Sequence, residues 1–505
     1  MNVQDRAHPF SLRDDDISKV REAFTAAGFN EKAILDALGI TSISSLKLLS
    51  KESVLPRIVG DAPLTVLLRL FVAGLPCEAK AARRVLGPLD LDRWIKGGLL
   101  HARQDRFMGA VAMIAMDDLL LAFDRIWVGQ EDEPSDHVMG PSDSANFLSR
   151  LAIPRPCGHS LDLGTGSGLL ALIEASQSRH VVATDVTPRA VAFARFNARL
   201  NGRTNIEVLQ GDLFEPVAGR TFDRIISNPP FVISPETRLV YLTGRGRGDA
   251  LCRKIASGAP ALLSEGGTLQ MLCSWSEPVE GEWSDDLCKW FEGSGCDVWV
   301  LRQSTRDAES YARGWMKVGT VGAAAYDPAR LDTWLRYFER EGIRSVGQGF
   351  VMMRRRSGAN WFRAFDGPPN LLASAGEAVI NRIRALDFLA AVGSEEALMD
   401  AVFAVAPSVS LTQECSPSPE GWTQVSATLR VTEGLGYVEE VDAYIAELVA
   451  ACDGRRSLRE VITFVIARLG WTSSDIPTDT PALVRQLVDE GFLVPAASPE
   501  QSATG

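Results

Sequence analysis

Four short clusters carry residue types and spacings suited to holding and reacting a nucleoside-like ligand. The first is Leu161-Asp162-Leu163-Gly164-Thr165-Gly166-Ser167-Gly168. Glycines let a chain turn sharply and bring backbone against a ligand with no Cβ in the way. A helix opening just behind them offers unpaired N–H groups. Their every-second spacing after an Asp departs from the Gly-x-Gly-x-x-Gly of dinucleotide sites. The second is Val181-Val182-Ala183-Thr184-Asp185, an apolar run ending in an acid 23 residues after Asp162. An acid there can accept both ribose hydroxyls of an adenosine ligand; the competing reading is a helix cap before Thr187-Pro188. The third is Gly211-Asp212-Leu213-Phe214. Asp212 could accept from an adenine amine, with Leu213 or Phe214 against the ring, or be an acid on a surface turn. The fourth is Ser227-Asn228-Pro229-Pro230-Phe231. Pro229 keeps Asn228 out of the helical region and fixes the following φ. Asn228 then offers its side-chain oxygen, and Pro229 its carbonyl, as two acceptors on a stiff turn beside the flat face of Phe231. That is a receptor for a planar group bearing –NH₂.

The elements that must position these clusters follow from the apolar pattern. Over residues 137–357 short apolar runs alternate with helical stretches: SLDL, VVATD, IEVLQGD, FDRIISN, GTLQML and DVWVL, closed by SVGQGFVMMRRR. Such βαβα alternation predicts an α/β domain, a mostly parallel sheet with helices on both faces. Residues 1–136 show apolar residues at helical spacing. Three short helices are followed there by HARQDRFMGAVAMIA, where Gln104 and Asp105 would turn a hairpin, so a helical, winged-helix domain is expected. EDEPSDH, from Glu131 to His137, would be an acidic linker. Residues 358–498 mix helical stretches with the strand-like WTQVSATLRV, an α+β domain, and 499–505 form a polar tail expected to be disordered. There is no internal repeat.

Composition excludes several classes. The chain has 505 residues, 46% hydrophobic and 23% charged, so collagen-like and wholly disordered readings fall away, and about three domains are expected. With 52 Lys+Arg against 64 Asp+Glu the net charge is −12, and any phosphate-rich partner would have to meet a local basic patch. The eight cysteines form no Cys-x-x-Cys pair and the five histidines no ligand pair, which predicts no metal site and a reducing compartment. No apolar run nears the roughly 18 residues that span a bilayer. A cytoplasmic protein is expected.

At the four clusters the sequence resembles the class I S-adenosylmethionine-dependent methyltransferases, in the amino-methylating group with an Asn/Asp-Pro-Pro-Phe/Tyr/Trp motif. The resemblance covers residues 137–357. It implies a Rossmann-like fold and S-adenosylmethionine as methyl donor. Asp162, Gly164, Thr165, Gly166 and Gly168 would hold the methionine moiety, Asp185 the ribose, Asp212 and Leu213 the adenine. Asn228, Pro229, Pro230 and Phe231 would hold the target nitrogen and be catalytic. The stretch Gly244–Leu251 followed by Arg253 is similar to one in the release-factor glutamine methyltransferases, whereas Phe231, in place of their Tyr, is nearer to ribosomal RNA guanine and some adenine methyltransferases. The expected acceptor is therefore a macromolecule, either an RNA base or a glutamine-like protein amide. Arg245 and Arg247, with Arg238, Arg253 and Lys254, would line the substrate entrance and meet an anionic partner. YVEEVDAYIAELVAACDGRRSLREVITFVIARLG resembles small peptide-binding winged-helix domains, which leaves room for a peptide- or small-molecule-tailoring enzyme. A non-catalytic binding module on the same fold is the alternative from another class. The sequence leaves the oligomeric state open.

Overall fold

The apolar runs of the central region pair into one sheet, and the order of its strands decides which clusters meet. The computed structural model describes residues 10–49, 51–125, 134–236, 248–277, 280–316, 327–368, 375–419, 421–472 and 476–496. Two compact units divide the chain, one within residues 1–149 and 155–365, the other within 150–154 and 366–505.

The first unit opens with α1 (Asp14–Ala26) and α2 (Glu31–Leu38), which bury Ile17, Val20, Phe24, Ile34 and Leu38. Next come α3 (Pro63–Leu67), β1 (Cys77–Glu78), α4 (Ala79–Leu86), α5 (Leu91–Lys96), β2 (Leu100–Arg103) and β3 (Arg106–Gly109). The three strands pair antiparallel in the order β1-β3-β2. The β2–β3 hairpin turns at Gln104-Asp105, with Gln104 in the left-handed region at φ 54°. This order of elements is compatible with the winged-helix expectation. A second hairpin, β4 (Ala112–Met116) with β5 (Leu119–Phe123), follows. Of the acidic linker expected at 131–137, residues 131–133 lie outside the described residues, and Pro134–His137 form a turn in which His137 N donates to Pro134 O at 3.1 Å.

The central sheet is built from β6 (Cys157–Leu163), β7 (Ser178–Asp185), β8 (Ile206–Gln210), β9 (Phe222–Ser227), β10 (Leu263–Glu277), β11 (Cys296–Asp307), β12 (Ser345–Arg355) and β13 (Phe362–Asp366). Its helices are α6 (Asp143–Leu151), α7 (Leu169–Glu174), α8 (Pro188–Leu200), α9 (Ala250–Gly258), α10 (Ala308–Met316) and α11 (Pro328–Glu341). Strand order is β13-β11-β12-β10-β9-β6-β7-β8. Strands β10, β9, β6, β7 and β8 run parallel, while β12 is antiparallel to both β10 and β11. Both faces are covered, as the unbroken apolar runs demand. Ala171, Val191 and Ala194 pack on Val181 and Ala183 from one side; Ile255 and Ala256 of α9 share the other core with Leu161, Val182 and Ile225. From β6 the chain winds out to β7 and β8; from β9 it winds the opposite way to β10. The reversal opens a crevice at the carboxyl ends of β6 and β9, where open α/β sheets take their ligands.

The N-terminal elements share one core with α7 and α8, through Phe193, Phe196 and Leu200 among others. Two asparagines of α8 complete this join. Asn197 accepts from Ala122 N and donates to Ala122 O, at 2.9 and 2.8 Å. Asn201 does the same for Leu120, at 2.9 and 2.8 Å. One helical turn of four residues rises about 6 Å, and two strand residues span about 6.6 Å, so consecutive turns meet alternate strand residues. The open edge of β5 thereby finds side-chain amides in place of a neighbouring strand. Beside it Arg189 forms a buried ion pair with Asp124, whose carboxylate also accepts from Val138 N at 2.9 Å.

In the second unit α12 (Gly376–Val392) and α13 (Glu395–Asp400) precede β14 (Val402–Val405), and β15 (Val409–Ser418), β16 (Gly421–Val431) and β17 (Val438–Glu440) form a three-stranded antiparallel sheet. Residues 410–417 and 421–425 of its long hairpin are exposed. Then come α14 (Ala443–Ala451), β18 (Asp453–Ser457), α15 (Leu458–Leu469), α16 (Thr480–Asp489) and β19 (Leu493–Pro495), with strands in the order β18-β14-β19. The Asp453-Gly454 step between α14 and α15 is the start of β18, which pairs with β14. The tail at 499–505 lies outside the described residues. Among the described residues no helix is long and apolar enough to cross a membrane, and no group of three or more His, Cys, Asp or Glu side chains is placed to hold a metal ion.

Candidate functional site

All four sequence clusters stand at the carboxyl ends of adjacent strands, β9, β6, β7 and β8. The glycine loop begins where β6 ends. Gly164, Gly166 and Gly168 all have positive φ, at 77°, 55° and 88°, the backbone region that side chains with a Cβ avoid. Their roles differ. A Cβ on Gly168 would press on Ala194 of α8 at 3.1 Å, so this glycine serves helix packing. A Cβ on Gly164 or Gly166 would meet nothing within 4 Å, so these two leave open space in front of the loop.

The loop's own polar groups fix it in place. Asp162 Oδ2 accepts from Thr165 Oγ1 at 2.6 Å and from Ala171 N at 2.9 Å. Gly164 N and Thr165 N both donate to Thr184 O at 2.9 Å, and Gly168 N to Thr165 O at 2.8 Å. The helix-start N–H of Ala171, expected to face a ligand, is thus taken by Asp162. The other carboxylate oxygen, Asp162 Oδ1, is buried and has no hydrogen-bond partner. Burial pushes the Asp162 carboxyl up to about 7, against the opposing pull of Thr165 and Ala171. A buried acceptor without a partner costs free energy until a donor reaches it.

Asp185 closes the loop from the next strand. Its Oδ2 accepts from Gly166 N at 3.0 Å, and its Oδ1 from Thr187 N and Thr187 Oγ1 at 2.9 and 3.1 Å. Burial raises this carboxyl as well, with the bonds from Thr187 and Gly166 opposing. The helix cap weighed for Asp185 belongs to Thr187, whose side chain accepts from Ala190 N. Asp185 O receives Gly211 N at 3.0 Å, which sets the third cluster beside the second. There Asp212 is exposed and Leu213 half-buried, and Leu213 takes φ 46°, unusual for a residue with a Cβ.

The Asn-Pro-Pro-Phe turn leaves β9 next to the loop, since Ile226 is in register with Asp162 and Ser227 Oγ donates to Leu163 O at 2.8 Å. Pro229 is buried, while Asn228, Pro230 and Phe231 are half-buried. Asn228 Nδ2 donates to Ser144 Oγ at 3.2 Å, and Asn228 Oδ1 is buried without a partner. Phe231 meets Trp315 of α10 edge to face at 6.4 Å. Two bonds hold the segment behind the turn: Ile233 N donates to Tyr311 Oη at 3.0 Å, and Arg330 pairs with Glu236 at 2.5 Å. Arg238, Arg245 and Arg247 lie outside the described residues. Arg253 turns back onto its own fold, over the Trp290 ring at 4.9 Å, and Lys254 is exposed.

Sequence reasoning missed Ser144, Asn197, Tyr311 and Trp315. Asn197 was readable only as a polar residue inside a helix, yet it is fully buried. Besides holding Ala122, its Nδ2 donates to Ser167 O of the glycine loop at 2.8 Å.

A parallel sheet that reverses at its first strand, carries an antiparallel strand between its fifth and sixth, and sets a glycine loop and an acid on its first two strands defines a class I methyltransferase. The open space before Gly164 and Gly166 and the partnerless Asp162 Oδ1 fit the cationic amino end of S-adenosylmethionine, the methyl donor of this class. Residues 142–282 match the methyltransferase small domain, and residues 26–112 and 382–495 match two domains of unknown function, DUF7059 and DUF7782. A release factor glutamine methyltransferase of Cereibacter sphaeroides is 32% identical over 232 residues, covering 42% of this chain and 83% of that protein. Another, from Yersinia pestis, is 39% identical over 159 residues, covering 28% of this chain and 57% of that protein. The chain spans about half the length of several further relatives of this name. A solved methyltransferase of Pyrococcus furiosus aligns with TM-score 0.27 and 17% identity, over 42% of this chain and 82% of that one. The chain belongs to the family of the release factor glutamine methyltransferases and is an S-adenosylmethionine-dependent N-methyltransferase.

Proposed function

We propose that the protein methylates the side-chain amide nitrogen of a glutamine in a protein, with a polypeptide release factor as the first acceptor to try. One observation carries the reading. Asn228 Oδ1 is buried, has no partner, and sits on a proline-stiffened turn at the switch point of the sheet. Such an oxygen requires a donor, and a carboxamide –NH₂ brings two: one for Asn228 Oδ1 and one for the Pro229 carbonyl. Phe231 offers a flat wall to the amide plane. An RNA base amine presents the same two donors and is the competing acceptor. The names of the relatives weigh toward glutamine.

S-adenosylmethionine, when bound, supplies a methyl group on a positively charged sulfur. In this reading Asp162 Oδ1 holds the ammonium of its methionine part, the space before Gly164 and Gly166 admits its backbone, Asp185 takes a ribose hydroxyl, and Asp212 with Leu213 borders the base. Beyond its three protein bonds Asp185 keeps about one lone-pair site, on Oδ2. Asn228 and Pro229 fix both protons of the target nitrogen, draw its lone pair out of amide conjugation, and stabilise the positive charge that grows there. Holding the nitrogen in line contributes on the order of 7–11 kcal/mol as orientation settled in advance. No strong base is needed, because the extra proton leaves the nitrogen once the new bond has formed.

The wider reading places residues 1–136, 137–357 and 358–498 as three functional parts of a cytoplasmic enzyme, the outer two presenting the macromolecule. Incubation with methyl-labelled S-adenosylmethionine and separated RNA, protein and small-molecule fractions tests it. Label in a release factor, released as N5-methylglutamine on enzymatic digestion, is the expected outcome; label confined to RNA overturns the glutamine assignment.

A further inference from the structure

An asparagine amide has two ends of nearly the same shape, and a half-turn about its last torsion exchanges them. Only the oxygen end of Asn228 can accept from a target –NH₂; the nitrogen end would set N–H against N–H. Something must choose between them. In the structure Asn228 Nδ2 donates to Ser144 Oγ at 3.2 Å, and Oδ1 is the end left over, buried and without a partner. Ser144 lies in the first turn of α6, 84 residues before Asn228 and outside every cluster read from the sequence. Its hydroxyl has a second partner that can take its proton. Ser144 Oγ lies 2.8 Å from Ser142 Oγ, which also accepts from Ala145 N at 3.1 Å. With the Ser144 proton given to Ser142, a Ser144 lone pair is free to receive Asn228, and no donor in the series Asn228, Ser144, Ser142 faces another donor.

We propose that Ser144 is a positioning residue for methyl transfer, holding the Asn228 amide with its oxygen toward the target nitrogen. The inference rests on the acceptor reading of Asn228 given above. Ser144 touches neither the donor nor the acceptor in this scheme. It acts only by removing the wrong orientation of its neighbour.

The full-length chain is assayed in single turnover with methyl-labelled S-adenosylmethionine and purified release factor, or with whichever macromolecular fraction takes the label. Ser144→Ala should lower the transfer rate about tenfold, the weight of one hydrogen bond at the upper end of its usual range. Donor affinity, measured by calorimetry, should stay within twofold, and so should the acceptor KM. Ser144→Thr keeps the hydroxyl and should recover the rate to within about twofold. In an Asn228→Ala background, Ser144→Ala should cost nothing further, because the amide it orients is gone; a general packing defect would lower both backgrounds alike. A wild-type rate in Ser144→Ala, no recovery in Ser144→Thr, or an equal loss in both backgrounds overturns the proposal and leaves the acceptor reading standing. A wild-type rate in Asn228→Ala overturns the acceptor reading itself.

Discussion

Around β6, β7 and β8 the polar groups find partners within their own turn or on the next strand: Thr165 on Asp162, Gly166 on Asp185, Gly211 on the Asp185 carbonyl. Around the end of β9 the partners come from far along the chain, Ser144 from upstream and Tyr311 and Trp315 from downstream. The proposed donor side is mostly a set of local motifs, joined to α8 where Asn197 holds Ser167 O. The proposed acceptor side is assembled by the fold. Each side leaves a buried oxygen without a partner, Asp162 Oδ1 and Asn228 Oδ1. A donor shared by a whole enzyme class can be served by a fixed local pattern. The proposed acceptor side draws instead on segments away from the end of β9, here α6 before β6 and the pair α10–α11 between β11 and β12.

If the two sides are as separate as this, each variant should damage one and spare the other. The largest effect is expected from Asn228→Ala. Turnover should fall by about 10²–10³, the loss typical of one preorganised electrostatic contact, while calorimetry shows unchanged donor binding. Next comes Asp185→Ala, which removes the proposed ribose acceptor and the anchor of Gly166 together. Donor affinity should weaken about 10–100-fold, from roughly 1.5–3 kcal/mol for bonds to a charged group. Donor binding as tight as wild type would break the assignment of β7 to the donor.

A third effect depends on pH. Asp162, pushed up to about 7 by burial, is neutral below that pH and ionised above it. A cationic ligand needs the ionised form, so donor affinity should rise about tenfold between pH 6 and pH 8. Asp162→Asn should flatten that rise. The same shift acts oppositely on the donor-free fold. The carboxyl ionises near 3.8 when unfolded but near 7 when folded, so its contribution to stability drains away as pH climbs through that interval. The smallest effect is expected from Phe231→Ala. Loss of a flat contact made equally in ground and transition states should raise the acceptor KM about three- to tenfold, with little change in turnover.

The same contrast explains what the sequence could and could not disclose. The strand runs, the parallel sheet and all four clusters were legible, because apolar periodicity, glycine spacing and Asn-Pro-Pro are properties of contiguous residues. Ser144 was not, since a serine near a helix start looks like any helix cap until the fold sets it against Asn228. Nor was Asn197, whose helical neighbours gave no hint that it would reach a hairpin and a glycine loop at once. The long exposed hairpin of β15 and β16 was only half visible, because β15 lacks the alternation that marks a strand with one buried face.

The two asparagines of α8 also decide how the enzyme can be divided. A chain shortened to begin at residue 137 would keep every donor and acceptor residue named above. It would lose Leu120 and Ala122, and with them the four hydrogen bonds that orient Asn197 and Asn201. Phe193 and Phe196 would face water on the same helix. Asn197 would then be free to swing away from Ser167, and the glycine loop would slacken at the Ser167 carbonyl. The N-terminal hairpin is in this sense a splint: it braces a helix that also holds the glycine loop, through Ser167 O and against Gly168.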